Sequence, residues 1–304
     1  MPETDLTYIS DLVLEHFAHV FYFDLGRYLI AAGAATVLLL VFRTYAKNRR
    51  IQKRSAGRAD YLRETLSSLR TVFVFGVTTL ATVIGVETGV IQFLAEGQSW
   101  WLIGLQFALI VILHDAYFYW AHRAMHSKLL FRATHLHHHK SRTPTPWTAY
   151  SFSSWEAVIE AAFLPLFLLM VNLAGFAFAG FAIFLFLWHM IIRNVMAHTG
   201  HEIFPAGWVD NPLTDWISTT THHDLHHSSG HNYGFYFTFW DRWMGTEHPR
   251  YKEEFRKVAK PLPGPSLRWL KDGFAKQASV IASALLAASA TIGLFSSAHA
   301  VMIA

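Results

Sequence analysis

The clearest capacity for chemistry in this sequence lies in histidines that recur at helical spacing. Side chains three and four positions apart share one face of an α-helix. A pair or a triplet with this spacing occurs in each of the segments "HRAMH", "HLHHH", "HTGH" and "HHDLHH". The histidines concerned are His122, His126, His135, His138, His139, His198, His201, His223, His226 and His227. The spacing predicts that four separate segments present imidazoles to a common site.

These histidines are too numerous for one metal ion. A catalytic metal site takes three or four protein ligands and keeps a position open, so the set is sufficient for two ions. Neutral imidazole binds iron, zinc and copper, and the absence of cysteine excludes thiolate ligands and disulfides. A metal-buffering tract would be contiguous, whereas long apolar stretches separate these segments. The pattern therefore predicts a two-metal site.

The elements that position the histidines are expected to be membrane helices. Apolar residues make up 53% of the 304 residues and charged residues only 15%, whereas a soluble domain carries roughly a quarter charged residues. About 20 apolar residues in a helix cross a bilayer. The candidate spans are Tyr28–Phe42, Thr71–Leu94, Trp101–Tyr119, Val158–Ala174 and Phe176–Ile192. A sixth stretch, Ala278–Met302, either spans the membrane or lies at its interface.

The basic residues indicate the orientation of the bundle. They are concentrated after the first span, at Arg43, Lys47, Arg49, Arg50, Lys53, Arg54, Arg58 and Arg63. A nucleic-acid patch is the alternative, but a position beside an apolar span favours a cytoplasmic loop under the positive-inside rule, so no nucleic-acid partner is predicted. Counting spans from this loop places every histidine segment on the same, cytosolic side. The alanine-rich spans favour a bacterial inner membrane over the endoplasmic reticulum.

Ionisable and aromatic residues near the histidines are further candidates. Asp115 lies at membrane depth, where such residues are commonly functional, and Asp224 lies inside a histidine triplet. We predict catalytic roles for both. Together with Glu156 and Glu202 they are also candidates to hydrogen-bond to metal-binding imidazoles. His114 is expected to hydrogen-bond inside the bundle. The aromatic residues at 233–240 form either an interfacial belt or the wall of a lipid channel.

As a set, these segments resemble the sterol desaturase and fatty acid hydroxylase superfamily of integral-membrane di-iron enzymes. The resemblance is carried by "HDAYFYWAHRAMH" (114–126), "RATHLHHHKS" (132–141), "HTGHEIFP" (198–205) and "THHDLHHSSGHNYGFYFTFWDRWMGT" (221–246). It implies iron ligation by His122, His126, His135, His138, His139, His223, His226 and His227, with a further ligand from His198 or His201. Asn232, Tyr233, Asp241 and Arg242 match positions expected to shape the cap.

The resemblance also implies a fold and a division of the chain. We predict an all-α fold, an integral-membrane helix bundle with a cytosolic histidine-rich cap that holds the two metals. Residues 1–113 would form N-terminal spans with the basic loop. Residues 114–248 would form a catalytic domain like that of fatty acid hydroxylases and sterol desaturases. Residues 249–304 would contain a Pro/Gly break and an apolar helix.

The implied activity is the hydroxylation or desaturation of a lipid C–H bond, with two iron ions and O₂ as co-substrate. The lipid would be a sterol, a fatty acyl chain or an aminolipid. The sequence has no haem motif or cysteine cluster, so a separate ferredoxin or a b-type cytochrome with its reductase would supply electrons. Two alternatives stay open, a membrane zinc-dependent hydrolase, which needs a carboxylate base beside an open metal position, and a non-catalytic metal carrier.

Overall fold

The fold follows from the apolar stretches of the sequence, nearly all of which form helices. A computed structural model of the chain describes residues 6–260, with side chains from residue 14 onward. The α-helices are α1 (Leu6–Val41), α2 (Arg43–Asn48), α3 (Arg58–Glu87), α4 (Trp100–Met125), α5 (Phe131–Thr134), α6 (Ser154–Leu173), α7 (Gly180–Ala197), α8 (Thr220–Ser229), α9 (Phe239–Trp243) and α10 (Tyr251–Val258). Short 3-10 helices are His138–Lys140, Pro146–Tyr150 and Trp208–Asp210.

The five predicted spans are confirmed as helices, with corrections at their ends. Helices α1, α3, α4, α6 and α7 are each long and apolar enough to cross a membrane. Helix α3 begins earlier than predicted, at Arg58, and ends at Glu87, just before Gly89 turns the chain with positive φ. Phe93–Leu94, predicted as helical, form strand β1. This strand pairs in parallel with β2 (Phe178–Ala179), a small exception to the all-α prediction. The sixth predicted stretch, Ala278–Met302, lies outside the described residues.

The two largest apolar cores hold the long helices together. In the first, Tyr28 of α1, Val72 of α3 and Ile191 of α7 are buried with their neighbours. In the second, aromatic side chains such as Phe163 of α6 and Phe186 of α7 pack against α4. Large apolar side chains on the outer surfaces of these helices remain exposed. Helices that bury one face and expose another apolar face fit a bundle surrounded by lipid.

A cap of loops and short helices covers one end of the bundle, and the basic segment is attached to it. The side chain of Arg49 is buried, and its guanidinium donates to the backbone carbonyls of Glu202 (2.6 Å), Phe204 and Lys260 (2.7 Å). The Ile51 N–H donates to the Gly200 carbonyl. This confirms that the basic segment and the histidine segments share one end of the molecule. The cytosolic placement of that end stays a prediction.

Candidate two-metal centre

Five imidazoles from four segments converge at the cap end of α4 and form what we call the five-histidine group. His122 and His126 lie at the end of α4, and the remaining members come from the chain after α5, from a 3-10 helix and from α8. The group consists of His122, His126, His135, His139 and His226, with ligand atoms all within 4.8 Å of one another. The Nε2 atom of His139 lies 2.9 Å from that of His226.

Four further imidazoles form a second, fully buried cluster, the four-histidine group. It consists of His138, His198, His223 and His227, with ligand atoms again within 4.8 Å of one another. The Nε2 atom of His198 lies 2.9 Å from that of His223 and 3.2 Å from that of His138. The two groups adjoin, because the ring centroids of His139 and His227 are 5.0 Å apart.

Each predicted triplet is divided between the two groups. Helix α8 gives His226 to the five-histidine group and His223 and His227 to the four-histidine group. The "HLHHH" triplet gives His135 and His139 to the five-histidine group and His138 to the four-histidine group. It occupies a turn and a 3-10 helix where the spacing predicted an α-helix. The spacing thus places each triplet between two centres instead of directing it at one.

Hydrogen bonds on the outer side of the rings orient their inner nitrogens. The Nδ1 atoms of His122, His198 and His226 lie 2.9, 2.8 and 2.7 Å from the carbonyl oxygens of Tyr233, Asn194 and His231. A carbonyl oxygen only accepts, so each Nδ1 must carry the proton. The Nε2 atoms, which face one another inside the groups, are therefore acceptors. Acceptors in contact need a cation between them, and the donor set thus fits bound metal.

The environment also keeps the imidazoles unprotonated. Burial lowers the pKa of His126 to about 2 and that of His139 and His198 to about 4. It lowers the pKa of His223 and His226 well below the ordinary value. A metal ligand must be the neutral imidazole. At neutral pH the groups are therefore in the protonation state that metal binding requires.

Two glycines give the chain the turns that the groups need. Gly230 ends α8 with φ +70°, a conformation that costs glycine little, and the chain then turns so that the His231 carbonyl reaches the His226 ring. Gly200, with φ +68°, follows His198, and a Cβ there would lie 2.7 Å from the Pro144 carbonyl oxygen. Both positions require glycine for local geometry.

The structure brings together nine of the ten predicted metal ligands, and His201 is the exception. The His201 Nδ1 lies 2.8 Å from the Thr199 carbonyl oxygen, and its backbone bridges to Arg50. His189 packs its ring against Phe107 and Tyr236 and belongs to neither group.

The four candidate carboxylates differ in what they contact. Among the described residues, only Glu156 hydrogen-bonds to a grouped imidazole, with Oε1 at 2.6 Å from the Nδ1 of His135. Asp115 accepts from the backbone N–H groups of Tyr236 and Phe237. The catalytic role predicted for Asp115 stays a prediction, and its contacts favour a positioning role.

The two other carboxylates lie around α8. Asp224 accepts from the Gln52 side chain, and burial raises its pKa to about 7. Glu202 accepts from the backbone N–H groups of Phe204 and Thr221 at 2.8 Å each. In the part of the chain that is described, neither hydrogen-bonds to a grouped histidine. The catalytic role predicted for Asp224 therefore also stays a prediction.

Asp241 supports the loop behind His122. Its carboxylate accepts from the backbone N–H groups of Tyr233 and Gly234 at 2.8 Å and from the Thr246 hydroxyl at 2.7 Å. Because the Tyr233 carbonyl orients the His122 ring, Asp241 acts on the five-histidine group through the backbone. The backbone carbonyls that hold the rings were not identified from the sequence, since they carry no residue-type signal.

A cavity lies beneath the two groups, inside the bundle. Its empty volume is about 890 Å³, and its lining includes Phe118, Phe152 and Phe235. Phe118 contacts the His122 ring and Phe152 the His138 ring, with centroids 5.0 and 5.2 Å apart. The cavity therefore reaches one aromatic layer from each group.

His114 lines this cavity and does not have the hydrogen bond expected for it. The ring is buried against Phe163 and Phe186, with centroids 4.7 and 5.1 Å away. Its Nδ1 has no hydrogen-bond partner. The expectation that His114 hydrogen-bonds inside the bundle is not met at this atom, since aromatic rings pack around the imidazole.

Sequence comparisons agree with this geometry. Residues 107–246 match the model of the fatty acid hydroxylase family. That segment contains all nine grouped histidines. The resemblance predicted from the motifs is confirmed for this segment, which is similar to the sterol desaturase and fatty acid hydroxylase superfamily.

Curated relatives share the same part of the chain. A Delta(7)-sterol 5(6)-desaturase of Gibberella zeae is 30% identical over 178 residues, 58% of this chain and 46% of the relative. A probable Delta(7)-sterol 5(6)-desaturase of Neurospora crassa is 29% identical over 55% of this chain and 45% of its own length. Lathosterol oxidase of Mus musculus is 28% identical over 44% of this chain and 42% of the relative.

The chain spans somewhat less than half the length of these relatives. No solved structure gives a significant match. The named relatives come from fungi and a mammal, so the comparisons give no support to the expected bacterial membrane. The five apolar helices identify a multi-pass membrane protein.

Proposed function

We propose that this chain is a membrane oxidoreductase that uses two iron ions and O₂ to hydroxylate or desaturate a C–H bond of a lipid. The observation that carries the proposal is the pair of adjoining imidazole groups, one of five and one of four histidines, above an apolar cavity. In this proposal the five-histidine group would hold one iron and the four-histidine group the other. His201 would bind neither.

The residues of the chain would prepare the site for this chemistry. Iron, when bound, supplies the redox capacity to reduce O₂ and remove hydrogen from an unactivated carbon. The backbone carbonyls and Glu156 orient the imidazoles, and the buried position of the groups keeps bulk water from them. Phe118 and Phe152, between groups and cavity, would hold the carbon chain near the metals.

The substrate and the electron source complete the proposal. The relatives are named for action on sterols, which supports a sterol or another lipid with a large apolar body as substrate. Each turnover requires two electrons from outside, and the chain has no cysteine for a cluster of its own. We propose a separate ferredoxin or b-type cytochrome with its reductase as the donor.

Lipid profiling by mass spectrometry tests the proposed reaction. Cells that express the chain should contain a lipid heavier by one oxygen atom if it hydroxylates, or lighter by two hydrogen atoms if it desaturates. The product should disappear when O₂ is withheld, and in separate His138→Ala and His226→Ala variants that still reach the membrane. Survival of the product in both variants would overturn the assignment of the two groups.

The same experiment distinguishes the zinc hydrolase. A hydrolase would contain zinc, would work without O₂ and would need a free carboxylate beside the metal. Glu156 contacts the five-histidine group, where its Oε1 is hydrogen-bonded to the His135 ring and its Oε2 has no partner. No contact in the described part of the chain favours the hydrolase over the oxidoreductase.

A further inference from the structure

We infer that the cavity recognises its lipid by a hydroxyl group that donates a hydrogen bond to the carboxyl group of Glu160. The inference rests on the proposed function and makes the substrate class narrower. Glu160 lies on α6, is partly buried and lines the cavity. A carboxyl group accepts a hydrogen bond in either protonation state.

The Glu160 carboxyl group is available to a ligand because the described part of the protein gives it no hydrogen-bond partner. Among the described residues, no hydrogen bond or ion pair joins the Glu160 carboxyl to another side chain or to the backbone. Its neighbours in the cavity wall, such as Ala161, Phe163 and Leu164, are apolar. A polar group that faces an apolar cavity without a partner carries an energetic penalty that a bound donor removes.

Another polar atom of the same wall is also unpaired. His114 is 2% exposed and its Nδ1 has no hydrogen-bond partner. This side chain lines the cavity. A purely hydrocarbon ligand would leave both His114 and Glu160 unsatisfied, so the cavity is suited to a lipid that carries hydrogen-bonding groups.

The charges in the cavity wall argue against an anionic ligand. Arg27 and Asp24 line the cavity but are paired with each other, and Arg27 also donates to the Leu187 carbonyl at 2.5 Å. Both terminal nitrogens of the guanidinium are therefore engaged, whereas its Nε has no partner. Because Asp24 neutralises Arg27, the described part of the wall offers an anionic head group no free cation. A neutral hydroxyl needs none.

The position of Glu160 limits how far the hydroxyl lies from the metals. Glu156 contacts the His135 ring, and Glu160 follows it by one helical turn, about 6 Å along the axis at 1.5 Å per residue. If the hydroxyl is bound at Glu160, the lipid carbons that lie a few bonds from that hydroxyl would be beneath the five-histidine group. The reacting C–H bond should lie near the oxygen-bearing end of the lipid.

Binding of matched alcohols and ethers to the full chain in nanodiscs tests the inference. The probes are cholesterol with its methyl ether, and hexadecan-1-ol with its methyl ether, since methylation removes only the donor. The unmodified chain should bind the alcohol about tenfold more tightly than the ether in at least one pair, the factor typical of a hydrogen bond to a carboxylate.

Variants locate the effect at Glu160. Glu160→Leu should remove most of the preference for the alcohol, whereas Glu160→Gln, which keeps an acceptor oxygen, should retain much of it. Leu164→Phe, one turn further along α6 and also in the cavity wall, should change the affinities of alcohol and ether alike. This matched control separates cavity shape from hydrogen bonding.

Three results would overturn the inference. They are equal affinities for alcohol and ether in both pairs of the unmodified chain, an undiminished preference in Glu160→Leu, and tighter binding of hexadecylamine than of hexadecan-1-ol. The first of these results is measured on the unmodified chain, so it does not depend on whether a variant folds. Binding is measured without turnover, so its outcome is independent of activity. If the unmodified chain shows no preference for the alcohol but cells that express it still form the lipid product, this inference is rejected and the proposed function stands.

Discussion

The two imidazole groups are built from the same residue type but differ in their surroundings. Every member of the four-histidine group is buried, whereas His126 and His139 of the five-histidine group are partly exposed. In the four-histidine group the Nδ1 atoms of His138 and His198 face backbone carbonyls, whereas His135 of the five-histidine group is held by the Glu156 carboxyl group. Two ions in these groups would therefore differ in accessibility and in ligand basicity.

This difference indicates how a protein can give two metal ions unequal environments with one kind of ligand. A carboxylate behind an imidazole makes the ring a stronger donor, and partial exposure leaves room for exchange with small molecules. The five-histidine group therefore has the features of the more reactive position. The four-histidine group has the features of a structural anchor.

Removing one imidazole from each group should have the largest effect. His226→Ala and His227→Ala come from the same helix but from different groups. Each should leave about one metal ion per chain and lower product formation by at least about 100-fold, since a missing ligand disturbs the reacting centre. Metal analysis and lipid mass spectrometry measure the two quantities.

His201→Ala is the matched control for these two variants. It removes a nearby imidazole that belongs to neither group, so metal content and product should be unchanged. If the single substitution His226→Ala removes both metal ions, the two groups do not bind metal independently. That result would contradict the proposed difference between the two groups.

Replacing the carboxyl group that holds His135 should have a smaller effect than removing an imidazole, and the effect should be confined to one group. Glu156→Gln keeps the size of the side chain but removes its charge, so metal affinity of the five-histidine group should fall by about 10- to 100-fold. The four-histidine group should keep its affinity. Iron titration followed by Mössbauer spectroscopy resolves the two populations, and Glu87→Gln, at the far end of α3, is the control. An equal loss from both groups would contradict the proposed division.

Acid should destabilise the metal-free protein. The unfolded chain takes up protons on histidine near pH 6.5, but His139 and His198 in the folded chain do so only near a pKa of about 4. Between these values the unfolded state binds more protons, so stability falls as the pH falls. The melting temperature of metal-free protein should decrease steadily from about pH 7 to pH 4. A flat profile would show that the imidazoles are not buried as described.

The two glycines should show the smallest effects, and unequal ones. Gly230→Ala introduces a side chain at positive φ, for about 1 kcal/mol of destabilisation. Gly200→Ala should cost more, because its Cβ would also meet the Pro144 carbonyl oxygen at 2.7 Å. Gly104→Ala, with open space around it, is the control. Equal melting temperatures for the Gly200 and Gly230 variants would contradict this geometry.

The sequence was informative about the site because ligand spacing is a local property. Nine of the ten predicted histidines converge, and the five spans are helices, since periodicity and apolar length depend on neighbouring residues. The division of each triplet between two groups was not predicted. It depends on the path of the backbone, including the 3-10 helix at His138–Lys140 and the turn at Gly230.

Tertiary contacts were harder to predict. Four carboxylates were candidates to hold an imidazole, and only Glu156 does so in the described residues, because which acid meets which ring depends on helix packing. The same holds for His114, whose Nδ1 lacks the expected partner, and for His201, which has ligand spacing but turns toward its own loop. Residue type and spacing do not determine the direction of a side chain in a loop.

The iron content of the purified full chain tests the central claim most directly. Protein produced with ample iron should contain two iron ions per chain, with two distinct Mössbauer signals, and after reduction it should consume O₂. Protein with no transition metal, with one iron, or with zinc and no reaction with O₂ would contradict the assignment of one iron to each imidazole group.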